Sequence, residues 1–247
     1  MKPAYLIVAL TALTVTPALR ASPTGTAEDA IDVLDDLAAT PEKRVPPALL
    51  KDAAAVIVAP DVIRGGLVVG ARHGHGILLV RKKDGWSDPV FVKLTGGSVG
   101  WQAGVQSTDL FLVVRNGRSL DRIFRGAGKL TLGADASVAA GPIGREAGAG
   151  TDAALKAEIL SYSRTRGLFA GVALDGDTVL VDHAANDRFY GKRKVAVGEI
   201  IAGKVDAPKV AGELRARLAE WSGDVTAPRP APPPVTPAAR IELPKKP

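Results

Sequence analysis

Five cations crowd into fifteen residues of this chain: Arg115, Arg118, Arg122, Arg125 and Lys129, with Asp121 the one acid among them. On a helix Arg118, Arg122 and Arg125 fall at i, i+4 and i+7, on one side. Guanidinium groups set out in this way suit phosphates or other anionic headgroups, because each offers forked donors. The plain alternative is a solvated helix face, since exposed charges are the norm. Arg64, Arg72, Arg145 and Arg166 are weaker candidates for the same task and equally suit structural roles.

Other groups could do chemistry but lack its context. Gly96-Gly97-Ser98-Val99-Gly100 matches the G-x-S-x-G elbow of serine hydrolases, with Asp182 and His183 downstream. That motif needs a helix directly after the serine. Here the residues after Ser98 alternate as a strand does, so a hydrolase is the weakest reading. His73 and His75 would share a face of a strand, but no carboxylate or third histidine stands at ligand spacing. A turn with exposed histidines is favoured over a metal site. Residues 126–134 contain Gly-Lys without the spacing of a phosphate loop. No aromatic residues interleave with the bases and no nucleic-acid motif is present, which argues against nucleic acid. No cofactor is implied.

The elements that must position these groups follow from periodicity. Residues 92–115 form the organising run. Val99, Trp101, Ala103 and Val105 fall on one face, and Ser98, Gly100, Gln102, Gly104 and Gln106 on the other. Glycines inside such a strand mark a bend or the close approach of another group. Residues 26–40 read as a helix with an acidic polar face, Glu28, Asp29, Asp32, Asp35 and Asp36. Residues 55–59 read as a buried strand. Segments 67–72 and 76–81 read as two strands around the histidines, and 119–125 as a short helix with Leu120, Ile123 and Phe124 inward. Segments 129–132, 137–140, 161–166, 168–174 and 178–181 read as strands, and 47–52, 185–190 and 197–201 as short helices. Asp206 is the expected cap of a helix whose stripe is Val210, Leu214, Leu218 and Trp221.

The 247 residues carry a net charge of +6, 46% apolar residues, 4% aromatics and 27 glycines, which implies an aliphatic core with closely packed backbones. The absence of cysteine excludes disulfides, thiolate chemistry and an acyl anchor on a mature N-terminus. Lys2, the apolar run 4–15, and Ala18 and Ala21 fit an export signal over residues 1–21. That places the protein in the periplasm or cell envelope, peripheral to the membrane. Residues 22–225 form one domain. Residues 226–247, which hold eight of the 18 prolines, form an extended solvated tail.

With these residues in view, the chain resembles the SYLF-domain family of lipid-binding proteins over residues 26–190. The resemblance rests on Arg64-Gly65-Gly66, Gly74-His75-Gly76 and Trp86-Ser87-Asp88-Pro89, and on the 96–100 run with Gln102, Gln106, Thr108 and Asp109. It continues through Leu130-Thr131-Leu132-Gly133, Ala139-Ala140-Gly141-Pro142, Gly144-Arg145, Tyr162-Ser163-Arg164, residues 166–171, Asn186 and Phe189-Tyr190-Gly191. It implies a non-enzymatic module binding anionic membrane lipid, with phosphoinositide and actin binding in eukaryotic relatives, and a stand-alone exported bacterial branch for this chain. Export disfavours actin as a partner. The acidic first helix shifts the expected membrane contact to the basic residues of the body. The expected fold is a single α+β domain, a strongly bent or partly closed, mainly antiparallel sheet covered by short helices. An alternative function is a structural or interaction protein of the envelope, using the glycine-rich strand and binding an envelope protein through the proline-rich tail.

Overall fold

Residues 55–59 are apolar without alternation, the pattern of a strand covered on both faces. They open β1 (Ala55–Gly66), and positions 55–60 are all buried. β1 lies inside a sheet whose strand order is β6-β10-β4-β2-β1-β5-β8-β7. The computed structural model describes residues 22–39, 45–66, 69–99, 104–125, 128–143, 156–165 and 168–223. The other strands are β2 (Val69–Lys82), β3 (Gly85–Trp86), β4 (Val90–Val99), β5 (Gly104–Val114), β6 (Lys129–Thr131), β7 (Val138–Ala140), β8 (Ile159–Thr165), β9 (Leu168–Gly171) and β10 (Thr178–Val181). The helices are α1 (Pro23–Ala39), α2 (Pro47–Lys51), α3 (Gly117–Arg125), α4 (His183–Tyr190), α5 (Val197–Ala202) and α6 (Lys209–Ser222). The fold is α+β, a strongly curled, partly closed mixed sheet covered by short helices. Among the named strands only β7 with β8 is a parallel pair.

The curl can be read from the connections. β5 and β6 stand well apart in the strand order, yet the short α3 joins them and touches β5, β6 and β10. The next turn, Leu132 to Ala136, leads from β6 at one edge of the order to β7 at the other. Such brief links require the two edges to approach each other. Inside the curl, facing backbones come close. A Cβ on Gly76 would lie 2.9 Å from the Val58 carbonyl oxygen and 2.9 Å from the Ala59 Cβ, so only glycine fits.

Two expectations about β2 and β5 change. The histidine segment lies within the continuous strand β2 rather than in a turn. The run 92–115 is two strands that do not pair with each other: β4 pairs with β2 and β5 with β1. In the strand order β1 and β2 lie between them, and the linking residues 100–103 lie outside the described residues. Period 2 on both sides of that link made two strands look like one.

The outer layer is docked by aromatic and polar contacts. Phe111 of β5 meets Trp221 of α6 with ring centroids 5.2 Å apart, and Phe91 of β4 meets Phe189 of α4 at 4.8 Å. Buried Asn186 of α4 accepts the Phe91 N–H at 2.9 Å and donates to the carbonyls of Phe91 and Asp182. Tyr190 Oη donates to the Pro89 carbonyl at 2.7 Å. The acidic helix α1 buries Val33, Leu34 and Leu37 against the body and adds two ion pairs at the rim: Asp36 pairs with Arg164 of β8, and Asp35 with Arg217 of α6 at 3.2 Å. Arg164 also donates to Asp109 at 2.6 Å, and Asp109 accepts the N–H of Asp61, which stands at φ +48° in the β1 bulge. α6 starts after Pro208 without a side-chain cap, so Asp206 does not cap it.

Tyr162 is fully buried, and its ring lies where a Cβ on Gly141 would sit, 2.0 Å from Cζ. Gly141→Ala should therefore overpack this site and lower unfolding free energy by about 1–3 kcal/mol. Chemical denaturation of the variant beside the wild type measures it. An unchanged midpoint would mean that the ring has room to move.

Candidate lipid-binding surfaces

α3 forms as its sequence predicts. The Asn116 side-chain oxygen accepts the N–H groups of Arg118 at 3.1 Å and Ser119 at 3.4 Å, satisfying donors in the first turn. Leu120 and Ile123 are buried, while Arg118, Asp121 and Arg122 are exposed. Lys129, at the start of β6, is exposed beside them. Arg122 and Lys129 both lie close enough to Asp135 to help hold its carboxyl below the ordinary range, although the Thr131 backbone N–H contributes most. Arg115 is turned to a structural task. Its backbone N–H donates to the Glu158 carbonyl, and its guanidinium donates to the Ala157 carbonyl at 3.3 Å. The side chain of Arg125, and Arg145 and Arg166 altogether, lie outside the described residues.

Arg64 and Arg72 belong elsewhere. They face each other across β1 and β2, and Arg64 also faces Gln106 of β5. With Thr108, Ser163 and Thr165 they line a cleft of about 190 Å³ above Leu110. The strand directions separate this group from α3. Arg64, Arg72 and Gln106 lie toward the end where β1 stops and β2 and β5 start, whereas α3 follows the last residue of β5. Among the described residues the candidate cations thus fall into two groups toward opposite ends of the strands.

Arg72 pairs with Asp177, whose side chain is 1% exposed. Burial raises the Asp177 carboxyl above the usual range, and the Arg72 charge acts against that rise. The carboxylate occupies the space left by Gly96, where a Cβ would lie 1.5 Å from Oδ1. The close approach expected of Gly100 and Gly104 is a separate matter, since Gly100 lies outside the described residues. Nothing in the spacing of Gly96, Arg72 and Asp177 along the chain signals the set.

The remaining candidates resolve simply. Ser98 sits inside β4, opposite Gly70 of β2, and Val99 continues the strand where an elbow requires a helix to begin. Asp182 accepts the Ala185 N–H at 3.1 Å and caps α4. It also lies 3.2 Å from Lys93 Nζ and 3.6 Å from His75 Nδ1. Burial is the main cause holding His75 below the usual histidine range. Among the described residues no three His, Cys, Asp or Glu side chains are placed to hold a metal ion. No described helix is long and apolar enough to cross a membrane.

The family model described as "Ysc84: Las17-binding protein actin regulator" matches residues 95–221. The chain belongs to the Ysc84 family. SH3 domain-containing YSC84-like protein 1 of Xenopus laevis is 35% identical over 70% of this chain and 52% of its own length. Protein YSC84 of Saccharomyces cerevisiae is 36% identical over 69% of this chain and 36% of its own. LAS seventeen-binding protein 3 of the same yeast is 34% identical over 69% and 37%. The chain thus spans about half, or less, of the length of these relatives. No solved structure matches. The family's description is of a binding protein, in keeping with a non-catalytic domain.

These matches correct the expectations of export and partner. The relatives are eukaryotic SH3-containing and Las17-binding proteins, which overturns the signal-peptide, periplasm and cell-envelope reading and with it the exported bacterial branch. An apolar run behind one lysine is specified by hydropathy alone and is a weak address; residues 1–21 lie outside the described residues. Actin was disfavoured only through export, and a family described as an actin regulator removes that ground.

Buried Asp177 makes Arg72 testable. Arg72→Ala should cost about 3–5 kcal/mol of stability at neutral pH, where it strands a buried carboxylate. Because burial raises the Asp177 pKa, protonation neutralises the carboxyl as pH falls, and the deficit of the variant should shrink toward acid. Denaturation of both proteins between neutral pH and about pH 4 reads this, in the range where carboxyls titrate. A deficit independent of pH would contradict it.

Proposed function

We propose that this domain is a peripheral binding module for anionic membrane lipid, held through the exposed cations of α3 and β6. The observation that carries the reading is the division of α3. Leu120 and Ile123 anchor its inner face, Arg118 and Arg122 point outward, and Lys129 is exposed alongside. Cations on a rigid, anchored helix lose little freedom when phosphates bind, so each contributes more of its attraction. Headgroups with several phosphates, of the phosphoinositide kind, fit the spacing of Arg118 and Arg122 one turn apart. Arg125 belongs to the same proposed face by sequence, while Arg115, Arg64 and Arg72 contribute to the field with their side chains engaged in the fold.

An actin-associated role is favoured by a separate observation, the family match described as an actin regulator. Co-sedimentation of the whole chain with filamentous actin checks it: the protein should pellet with filaments and not without them. Recovery in the supernatant at all filament concentrations would remove the actin reading and leave the lipid reading standing.

Replacing Arg118, Arg122 and Lys129 together by Gln should weaken binding to acidic vesicles by about 3 kcal/mol, roughly a hundredfold, at about 1 kcal/mol per cation near the surface. All three side chains are exposed, so the thermal midpoint should hold. Vesicle co-sedimentation at low salt measures the loss, and equal pelleting of variant and wild type would reject this surface.

A further inference from the structure

The cleft above Leu110 gathers more hydrogen-bonding groups than its own walls need. Arg64 of β1, Arg72 of β2, Gln106 and Thr108 of β5, and Ser163 and Thr165 of β8 line it, and no carboxylate is among the described lining residues. Four strands that are neighbours in the sheet thus turn polar side chains into one space of about 190 Å³. Asp109 and Arg164 alternate with these side chains along β5 and β8, so they point to the other face, where they bond each other at 2.6 Å. Leu110 and Val62, each 2% exposed, form the floor. Val62 also fills the space left by Gly74, where a Cβ would lie 2.6 Å from its Cγ2. Arg64, Gln106 and Thr165 are exposed, so the cleft opens to solvent. The Thr108 and Thr165 hydroxyls stand 3.4 Å apart, and either can donate.

We infer that this cleft is a binding site for a phosphate monoester, free or as the headgroup of a lipid, seated between Arg64 and Arg72. The lining sets the sign of the ligand: two guanidinium groups stand against the single carboxylate of Asp177 behind them, which leaves the set net positive. Arg72 engages Asp177 through Nη1. A guanidinium carries five N–H donors, and this pairing holds the group in place before a ligand arrives. The directions of the donors set the shape. They come from four strands, which suits the three terminal oxygens of a phosphate monoester better than the two coplanar oxygens of a carboxylate. Volume sets the size. Drug-sized ligands take pockets of about 300–1,000 Å³. A cleft of about 190 Å³ instead holds one phosphate and a short stem, whose carbon atoms meet Leu110. α3 lies toward the other end of the strands, so this site is distinct from the surface proposed above and does not depend on it.

The test uses the whole chain in a phosphate-free buffer. Glycerol phosphate is the soluble probe, titrated by calorimetry. Vesicles of phosphatidylcholine carry either phosphatidic acid, a monoester, or phosphatidylserine, a diester, matched in surface charge. Wild type is compared with Arg64→Gln, Gln106→Ala and Arg118→Gln/Arg122→Gln/Lys129→Gln, and thermal midpoints check that each folds. Gln106→Ala removes no charge and carries the test alone if Arg64→Gln lowers the midpoint. Glycerol phosphate should bind the wild type, about tenfold more weakly Arg64→Gln and about fivefold more weakly Gln106→Ala, as the loss of a charged and a neutral hydrogen bond implies. The α3 variant should bind it as the wild type does. A preference for phosphatidic acid that both cleft variants lose supports the site with a lipid headgroup as its ligand. Soluble binding with the two vesicles pelleting alike supports it with the free ester. Glycerol phosphate that does not bind, with the two vesicles again alike, overturns the cleft and leaves the α3 reading intact. Soluble binding or a monoester preference that survives both cleft variants also overturns it. Soluble binding without pelleting on either vesicle overturns the α3 reading and leaves the cleft standing.

Discussion

A sheet curled until its edges nearly meet has little room inside, and the positions where facing groups converge must give up their side chains. Gly76 faces the Val58 carbonyl and the Ala59 methyl at under 3 Å from an imagined Cβ, and Gly96 makes way for the Asp177 carboxylate. A Cβ at Gly76 meets backbone, which cannot swing aside. The curvature in turn sets everything outside it. It brings β5 near β6 so that one short helix can join them, and it turns the central strands outward to meet α4 and α6. The wealth of glycine and poverty of aromatics in the chain are the compositional form of this constraint.

The interior also contains a charge pair, which is costly to place there. Asp177 is almost wholly buried, one of its oxygens has no hydrogen-bond partner, and its carboxyl is raised by burial despite Arg72 beside it. Such a pair is weak evidence for stability and better evidence for specificity. Arg72 on β2 and Asp177 just before β10 can meet only when β4, lying between them in the order, presents Gly96 in register. The pair therefore ties one alignment of three strands to the curl.

The elements were largely legible because each carries its own period. The stripe Val210, Leu214, Leu218 and Trp221 became α6, and Leu120 with Ile123 fixed the inner face of α3. The α+β class and the bent sheet followed from short strands broken by glycine. What the sequence hid was pairing at a distance. The alternation from Val99 to Val105 looked like one strand, because two strands in phase share a period. The partners of the α1 acids, Arg164 and Arg217, lie far along the chain, so the sequence showed an acidic face without showing the ion pairs it makes. The cations clustered on α3 were visible because they are neighbours in sequence, whereas the remoteness of Arg64 and Arg72 from them is a property of strand direction.

The placement of α3 has a mechanical side. The helix touches β5, β6 and β10, so it bridges strands that stand apart in the sheet order, with Arg118 and Arg122 exposed on its outer side. Anything that binds the curled form better than the opened one shifts the balance between them by its own binding free energy. An anion seated on α3 would then act as a clasp. The amide hydrogens of β6 and β10 would exchange more slowly with it bound, and the sheet would be stiffer where its order is completed by short strands.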